Sequence, residues 1–215
     1  MQTQKEEVRD AILDAAAAEF RQYGYAEASM RRIAKGAGIT TGNIYRYFRG
    51  KEELFDAIVG PIYSQYSSYA SEYLQTADVH IGKGEQAGDE FWCQVENALI
   101  GLIKASGQGL MLLICRSEGS KYESIKQEIT HFAETLLLKL FSAAKPAGEA
   151  LTAYQQTEVK MIAATLIEGI VLIIRGSPEP QTLGLLVDRL IAVYSSGIDQ
   201  LLKEYKEREG EEHHA

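Results

Sequence analysis

Three observations predict an all-α protein. Apolar residues recur at three- and four-residue spacing through most of the chain, which is the period of one helix face. Runs that alternate between apolar and polar residues, as strands do, are few, and only four prolines interrupt the helical pattern. The 215 residues, 46% of them hydrophobic, are enough to bury a core in one large domain or two small ones.

Composition also narrows the kind of protein. The two cysteines, Cys93 and Cys115, form no CxxC pair, and no secretory signal opens the chain, which favours a reduced, cytoplasmic setting. No apolar run reaches the roughly 18 residues that a membrane-spanning helix needs. We therefore expect no membrane segment.

The first helix is predicted over residues 3–23. Ile12, Ala16 and Phe20 lie four residues apart and form its apolar stripe, and Gly24 should end it. We expect this helix to form a three-helix core with the two shorter helices that follow.

The stretch Ala28–Lys51 has the pattern of a short helix, a tight turn and a second short helix. We expect the Ser29 hydroxyl to cap the first of these helices and Gly38 to end it in a left-handed conformation. Thr40 is expected to cap the second.

The second short helix should have one buried and one exposed face. Ile44 and Phe48, four residues apart, would anchor it to the core. The residues left facing outward are Thr41, Asn43, Arg46 and Tyr47. A small anchored helix that exposes hydroxyl, amide and basic groups is what recognition of a DNA major groove requires.

Positive charge is concentrated in the same stretch. Between Arg21 and Lys51 the chain has seven basic residues and one acidic residue, Glu27, although its formal net charge is −8. Neutralisation of DNA phosphates would account for such a basic cluster. The alternative is a solvated helix face that is basic without a binding role.

A long fourth helix should begin near residue 51. Gly60 and Pro61 interrupt its pattern, but apolar spacing resumes at once, so we expect one helix with a kink. Residues 76–88 contain three glycines and are predicted to form a loop. Further helices are predicted at 89–106, 110–115 and 121–144.

The last two helices, predicted at 161–174 and 181–207, have more apolar surface than one subunit of this size can cover. We expect two helices from each of two chains to form a four-helix bundle in a homodimer. The residues expected at this dimer surface are Leu166, Ile170, Ile173, Leu183, Leu186, Leu190, Tyr194 and Ile198. The alternative is that both helices belong to the core of a monomer.

The run from Ser29 to Phe55, which contains IAKGAGIT, TGNIYRYF and KEELF, resembles the TetR family of bacterial transcriptional regulators. The resemblance covers roughly residues 5–60. It implies about nine helices, with a helix-turn-helix DNA-binding domain at residues 1–50. Residues 51–215 would then form a helical domain for ligand binding and dimerisation.

The resemblance also implies which residues meet DNA. Residues that would approach the bases are Thr41, Gly42 and Asn43, and those that would contact phosphate or sugar are Tyr45, Tyr47 and Lys51. Residues that would lie beside the backbone are Ser29, Met30 and Arg31, and the positions that vary with the operator include Thr40 and Arg46. Arg46 can pair with a guanine or bridge phosphates, and Tyr45 can instead pack against the first helix.

An effector pocket is expected behind this domain. Its candidate lining residues are Tyr63, Tyr66, Tyr69, Trp92, Met111, Cys115 and Glu168. Aromatic and sulfur-containing side chains suit a small hydrophobic or planar ligand, although each can equally be an ordinary core residue. Glu168 could meet a cationic group of a ligand or have a protein partner.

The sequence shows no motif of an enzyme. There is no G-x-S-x-G, HExxH or dinucleotide fingerprint, and no histidine has metal-ligand spacing, so neither catalysis, cofactor nor metal is expected. The expected function is a ligand-responsive regulator, most simply a repressor, that binds a palindromic double-stranded operator as a homodimer. The alternative is a helical ligand-binding or interaction module of the same fold that does not bind DNA.

Overall fold

The computed structural model describes residues 2–81, 109–146, 149–176 and 179–207. These ranges contain eight helices and no strand, which confirms the predicted all-α fold class. The helices are α1 (Gln2–Glu27), α2 (Met30–Gly36), α3 (Thr41–Ile44), α4 (Lys51–Ile81), α5 (109–115), α6 (Ile125–Ala144), α7 (Ala153–Gly176) and α8 (Pro180–Glu207). The helix predicted at 89–106 lies outside the described residues, so the count of nine stays a prediction.

The loop predicted at 76–88 is wrong at its start, because α4 continues to Ile81. Residues 76–81 contain neither glycine nor proline, and the glycines that suggested a loop begin at residue 82. The assignment of α4 also continues through Gly60 and Pro61, so the predicted long helix is confirmed across that point.

The start of α6 also differs from the prediction, since the helix begins at Ile125 and not at Lys121. The preceding residues form a turn held by a serine hydroxyl. Ser120 Oγ donates to the Ser117 carbonyl at 2.6 Å and accepts the Tyr122 N–H at 3.1 Å. These side-chain hydrogen bonds replace the helical ones, which is how serine favours turns over helix interiors.

The described residues divide into two compact units. The first comprises those up to Ser67 and those from 109 to Lys126, and the second comprises those from Ser68 to 81 and from Gln127 onward. The first unit therefore contains the predicted DNA-binding domain together with the first half of α4 and the whole described part of α5. The functional boundary at residue 50 stays a prediction.

The core of the first unit forms around α1. Ile12, Ala16 and Phe20 are completely buried, which confirms the predicted stripe. The Phe20 ring meets the Phe55 ring edge-on, with centroids 4.9 Å apart. Gly24 has φ +75°, so it interrupts α1 where the sequence predicts a break.

The turn between α2 and α3 forms as predicted. Gly38 has φ +69°, the left-handed conformation that glycine adopts without steric cost. Thr40 Oγ1 accepts the Asn43 N–H at 3.2 Å, which confirms it as the cap of α3. Ile44 and Phe48 are both buried, so the anchoring of this short helix is confirmed too.

The prediction that the Ser29 hydroxyl caps α2 is wrong. Ser29 occupies the cap position, but its hydroxyl makes no capping hydrogen bond. The Ser29 N–H instead donates to Glu19 Oε1 at 2.9 Å, and the Arg32 side chain donates to the same oxygen at 2.7 Å. Glu19 is only 8% exposed, so α1 supplies a buried carboxylate to the start of α2.

A connector, defined as residues 116–124, fastens onto the first unit between α5 and α6. The Tyr25 N–H donates to the Arg116 carbonyl at 2.9 Å. Lys121 Nζ pairs with Asp56 Oδ1 at 2.7 Å, and the buried Tyr122 hydroxyl donates to the same carboxylate. The connector therefore holds both the end of α1 and the first turns of α4.

These contacts alter the acidity of the groups involved. The hydrogen bond from Lys121, and then that from Tyr122, lowers the pKa of the Asp56 carboxyl. Burial, reinforced by the hydrogen bond to Asp56, raises the pKa of Tyr122 to about 12. Asp56 is therefore ionised and Tyr122 protonated at neutral pH, as the hydrogen bond requires.

The second unit contains the packed pair α7 and α8. A side chain at Gly169 would place its Cβ 2.9 Å from Leu190 Cδ2, so glycine allows these helices to approach closely there. The Tyr205 ring meets Phe141 of α6 edge-on at 5.1 Å, and its hydroxyl donates to Glu158 at 2.7 Å. None of the described helices is long and apolar enough to cross a membrane.

Replacing Glu19 with alanine should lower the free energy of unfolding by about 1–3 kcal/mol, because the Ser29 N–H and the Arg32 guanidinium lose their shared acceptor. Denaturant unfolding followed by circular dichroism measures this change. Glu19→Gln keeps an acceptor oxygen and should recover part of the loss. The exposed carboxylate of Asp14 is the matched control, and a loss no larger for Glu19→Ala than for Asp14→Ala would contradict the assignment.

Asp56 should stabilise the protein at neutral pH and lose this effect in acid. A carboxyl group whose pKa is lower in the folded chain stabilises the fold above its unfolded pKa, near 4. That contribution disappears as the pH falls from there through the lowered folded value. Unfolding curves of the wild type and Asp56→Asn should therefore differ near neutrality and converge in acid. A difference that is constant with pH would count against this ion pair.

Candidate nucleic-acid interface

The helix-turn-helix presents its polar residues at the surface. Thr41, Gly42 and Arg46 are exposed, and Asn43 and Tyr47 are half-buried. Since Ile44 and Phe48 occupy the core side of the same segment, the exposed residues cannot turn inward without exposing those anchors. The predicted separation into an anchoring face and a recognition face is present.

Two adjoining grooves border the start of α3 and share Ile39 and Thr40. The first, here called the basic groove, has a volume of about 760 Å³ and is lined by Ser29, Arg31, Arg32, Lys35, Ile39, Thr40 and Thr41. The second, called the α3 groove, has a volume of about 580 Å³ and is lined by Gly38, Ile39, Thr40, Gly42, Asn43 and Arg46. Together they bring seven of the eleven predicted DNA-binding residues to one surface.

The other four predicted DNA-binding residues lie outside both grooves. Met30 and Tyr47 are half-buried, and Tyr45 is 52% exposed, so its ring is not a core residue of the described structure. Lys51 donates to the Ala26 carbonyl at 2.8 Å. Its ammonium also lies 4.6 Å from the centroid of the Tyr25 ring, so it joins the start of α4 to the end of α1.

The cations of the basic groove differ in what they contact. Arg32 donates to Glu19 and to the Glu27 carbonyl, both at 2.7 Å, and its guanidinium lies 4.3 Å from the centroid of the Tyr23 ring. Lys35 belongs to the basic cluster between Arg21 and Lys51 but was not one of the eleven predicted DNA-binding residues, yet it lines the groove. Its position one helical turn after Arg31 is the signal that could have identified it.

The predicted effector-binding residues are not assembled into one cavity by the described structure. Tyr63 and Tyr66 lie in the first unit with ring centroids 6.5 Å apart, as do the half-buried Met111 and Cys115. Tyr69 belongs to the second unit, where burial raises its pKa to about 12.

Two further candidate residues do not support the predicted effector pocket. Trp92 lies outside the described residues, and Glu168 is exposed on α7. The cleft of about 660 Å³ beside the connector includes only Tyr63 among the candidates, with Asp56 and Lys121. The effector pocket therefore stays a prediction.

Most residues predicted at a dimer surface lie on the inner side of α7 and α8. Leu166, Ile170, Leu183 and Ile198 are buried within the single chain, and Leu190 packs at Gly169. Ile173 and Tyr194 are half-buried, whereas Leu186 is 42% exposed. The buried residues therefore contribute to packing within the single chain, and the role of the whole set at a dimer surface stays a prediction.

A different apolar surface faces outward on the same helix pair. It consists of Tyr154, Met161 and Leu172 on α7 and of Leu185, Leu186 and Val193 on α8. The three α7 residues recur at intervals of seven and eleven, which keeps them on one face of the helix. Exposures between 42% and 74% make this outer face unusual for large apolar side chains.

Comparison with known proteins agrees with the geometry of the first unit. Residues 12–58 match the family model of the bacterial regulatory proteins of the tetR family. The chain is 39% identical over 64 residues to the HTH-type transcriptional regulator YhgD of Bacillus subtilis, an alignment that covers 30% of this chain and 34% of YhgD. It is 41% identical over 59 residues to the HTH-type transcriptional regulator UidR of Escherichia coli, covering 27% of this chain and 30% of UidR.

These alignments span about a third of the length of the curated relatives. Among solved structures, NalD, the secondary repressor of the MexAB-OprM multidrug efflux pump in Pseudomonas aeruginosa, is 18% identical with a TM-score of 0.46. That alignment covers 94% of this chain and 97% of NalD. The similarity to the TetR family of bacterial regulatory proteins therefore lies in the helix-turn-helix segment, residues 12–58.

Proposed function

We propose that this protein is a transcriptional repressor that binds a palindromic double-stranded DNA operator as a homodimer and is released by a small hydrophobic or aromatic effector. The observation that carries the proposal is the pair of grooves at the start of α3. They join guanidinium, ammonium, hydroxyl and amide groups at one surface of a domain whose family binds DNA. Such groups recognise phosphates and the base edges of a major groove.

The length of the recognition helix limits how many base contacts one subunit can make. α3 is one turn long, so it offers only a few side chains to base edges. Arg46 is exposed at the α3 groove and can pair with a guanine or bind phosphate. Two such faces related by a two-fold axis would read half-sites about 34–36 Å apart, or a multiple of that distance.

The outer apolar face of α7 and α8 supports the proposed homodimer. Both helices already use their inner faces to pack within one chain, so a second copy would cover what remains exposed. A two-fold axis would bring each outer face against its equivalent and produce a four-helix bundle. The proposed dimer residues are therefore those of the outer face.

Regulation would require the effector to bind better to a conformation with low DNA affinity. The supporting features are the predicted aromatic and sulfur-containing lining residues and the continuity of α4, which begins in the first unit and ends in the second. DNA and the effector are the proposed partners, and the cytoplasm is the proposed location.

Arg46→Ala and Tyr47→Ala should each weaken operator binding at moderate salt. The operator would first be selected from random double-stranded DNA, then titrated by fluorescence anisotropy. Loss of a guanine contact by Arg46 should cost about 1–3 kcal/mol per half-site and relax the preference for one base. Loss of a phosphate contact should weaken all sequences alike and lower the salt dependence.

The control for these two variants is Lys160→Ala, which removes an exposed charge of α7. If neither recognition variant changed affinity while the control behaved like the wild type, the protein would be the alternative, a helical module that does not act on DNA.

Leu185→Glu combined with Val193→Glu should convert the homodimer into a folded monomer. The two side chains are 68% and 70% exposed in the single chain, so charge there should disturb the dimer and leave the fold intact. Analytical ultracentrifugation and circular dichroism test both statements. Leu74→Glu, on an apolar residue of α4 that is 37% exposed, is the control. A variant that sediments as a dimer would exclude the outer face as the interface.

A further inference from the structure

We propose that Lys35 binds the DNA backbone together with Arg31, and that Arg32, which lies between them in sequence, positions α2 and does not bind DNA. The proposal deepens the proposed function and rests on it, since it concerns how the same surface holds an operator. Within the basic cluster between Arg21 and Lys51, it separates cations that bind DNA from one that holds the fold.

Arg31 and Lys35 share one wall of the basic groove. Arg31 and Lys35 are four residues apart on α2, so they lie on one helix face about 6 Å apart along its axis. Successive phosphates of one DNA strand are about 3.4 Å apart along the DNA axis, and the long side chains of arginine and lysine can reach neighbouring ones. Both cations line the same groove as Thr40 and Thr41.

Arg31 and Lys35 differ from Arg32 in the groups that their side chains contact. Within the described part of the chain, no hydrogen bond or ion pair engages the side chain of Arg31 or Lys35, and both are exposed. Arg32 is instead held by Glu19, by the Glu27 carbonyl and by the Tyr23 ring. These hydrogen bonds fix the position of the Arg32 guanidinium, and the Glu19 carboxylate pairs with its positive charge, which weakens its attraction for a phosphate.

The positions of Arg31 and Lys35 destabilise α2 when no anion is bound. Like charges four residues apart repel each other, and a cation in the first turn is unfavourable to the helix dipole. Arg31 lies in the first turn of α2 and has Lys35 as its like-charged neighbour. An anion placed between the two would remove both penalties, and a DNA phosphate is such an anion. Local rules are typically broken in this way at functional sites.

Salt dependence of operator binding tests the proposal. The selected operator would be titrated against the wild type and against Lys35→Gln, Arg31→Gln and Arg32→Gln between 50 and 200 mM salt. Over this range, the slope of log affinity against log salt concentration reports the number of phosphate contacts. Each lost phosphate contact should reduce the slope of log affinity against log salt by about 0.9 per half-site, or about 2 for a dimer. Lys35→Gln and Arg31→Gln should show this reduction, with an unchanged sequence preference.

Arg32→Gln should keep the slope of the wild type and lower the midpoint of thermal unfolding, since it leaves the buried Glu19 carboxylate without its ion pair. If this variant is unfolded at the assay temperature, all titrations are made at a temperature below its unfolding midpoint. Lys160→Gln, remote in sequence and exposed, is the control for loss of one charge.

The outcomes separate the two proposals. A Lys35→Gln slope equal to that of the wild type would overturn the role of Lys35, and so would a uniform loss of affinity without a change of slope. An Arg32→Gln slope reduced as much as that of Lys35→Gln would overturn the positioning role of Arg32. A wild type that selects no DNA sequence would overturn the proposed function itself.

Discussion

The buried carboxylate of Glu19 joins α1 to α2, and the helix-turn-helix depends on that junction. One of its oxygens accepts the backbone N–H of Ser29 and the side chain of Arg32. A carboxylate at this depth is costly to bury unless its partners are in place. The same interaction that fixes the start of α2 therefore pairs the charge of Arg32 with Glu19. The Glu19 carboxylate thus determines both how α2 begins and where the Arg32 charge is held.

The connector is the second constraint on the first unit. It reaches the end of α1 through Tyr25 and the first turns of α4 through Asp56. The end of α1 directly precedes the helix-turn-helix in the chain, and the start of α4 directly follows it. Beyond Lys126 the chain continues along α6 into the second unit, so the connector is also a covalent route between the units.

The helix pair α7 and α8 illustrates how one pattern can have two physical causes. Apolar residues at heptad spacing predict that a helix packs against another helix, but they do not say whether the partner belongs to the same chain. Gly169 and Leu190 show that α7 and α8 use this pattern on each other. The outer face is identified by the exposure of its apolar residues in the folded chain.

The sequence by itself determined the helical class, the anchored third helix and the turn before it. These follow from local rules, because helix period, the left-handed conformation of Gly38 and the cap at Thr40 depend on neighbours within a few residues. Only the tertiary structure decided that Glu19 replaces the Ser29 hydroxyl and that Lys35 is left exposed. Those outcomes depend on which side chains meet across helices, and spacing along the chain contains no record of such contacts.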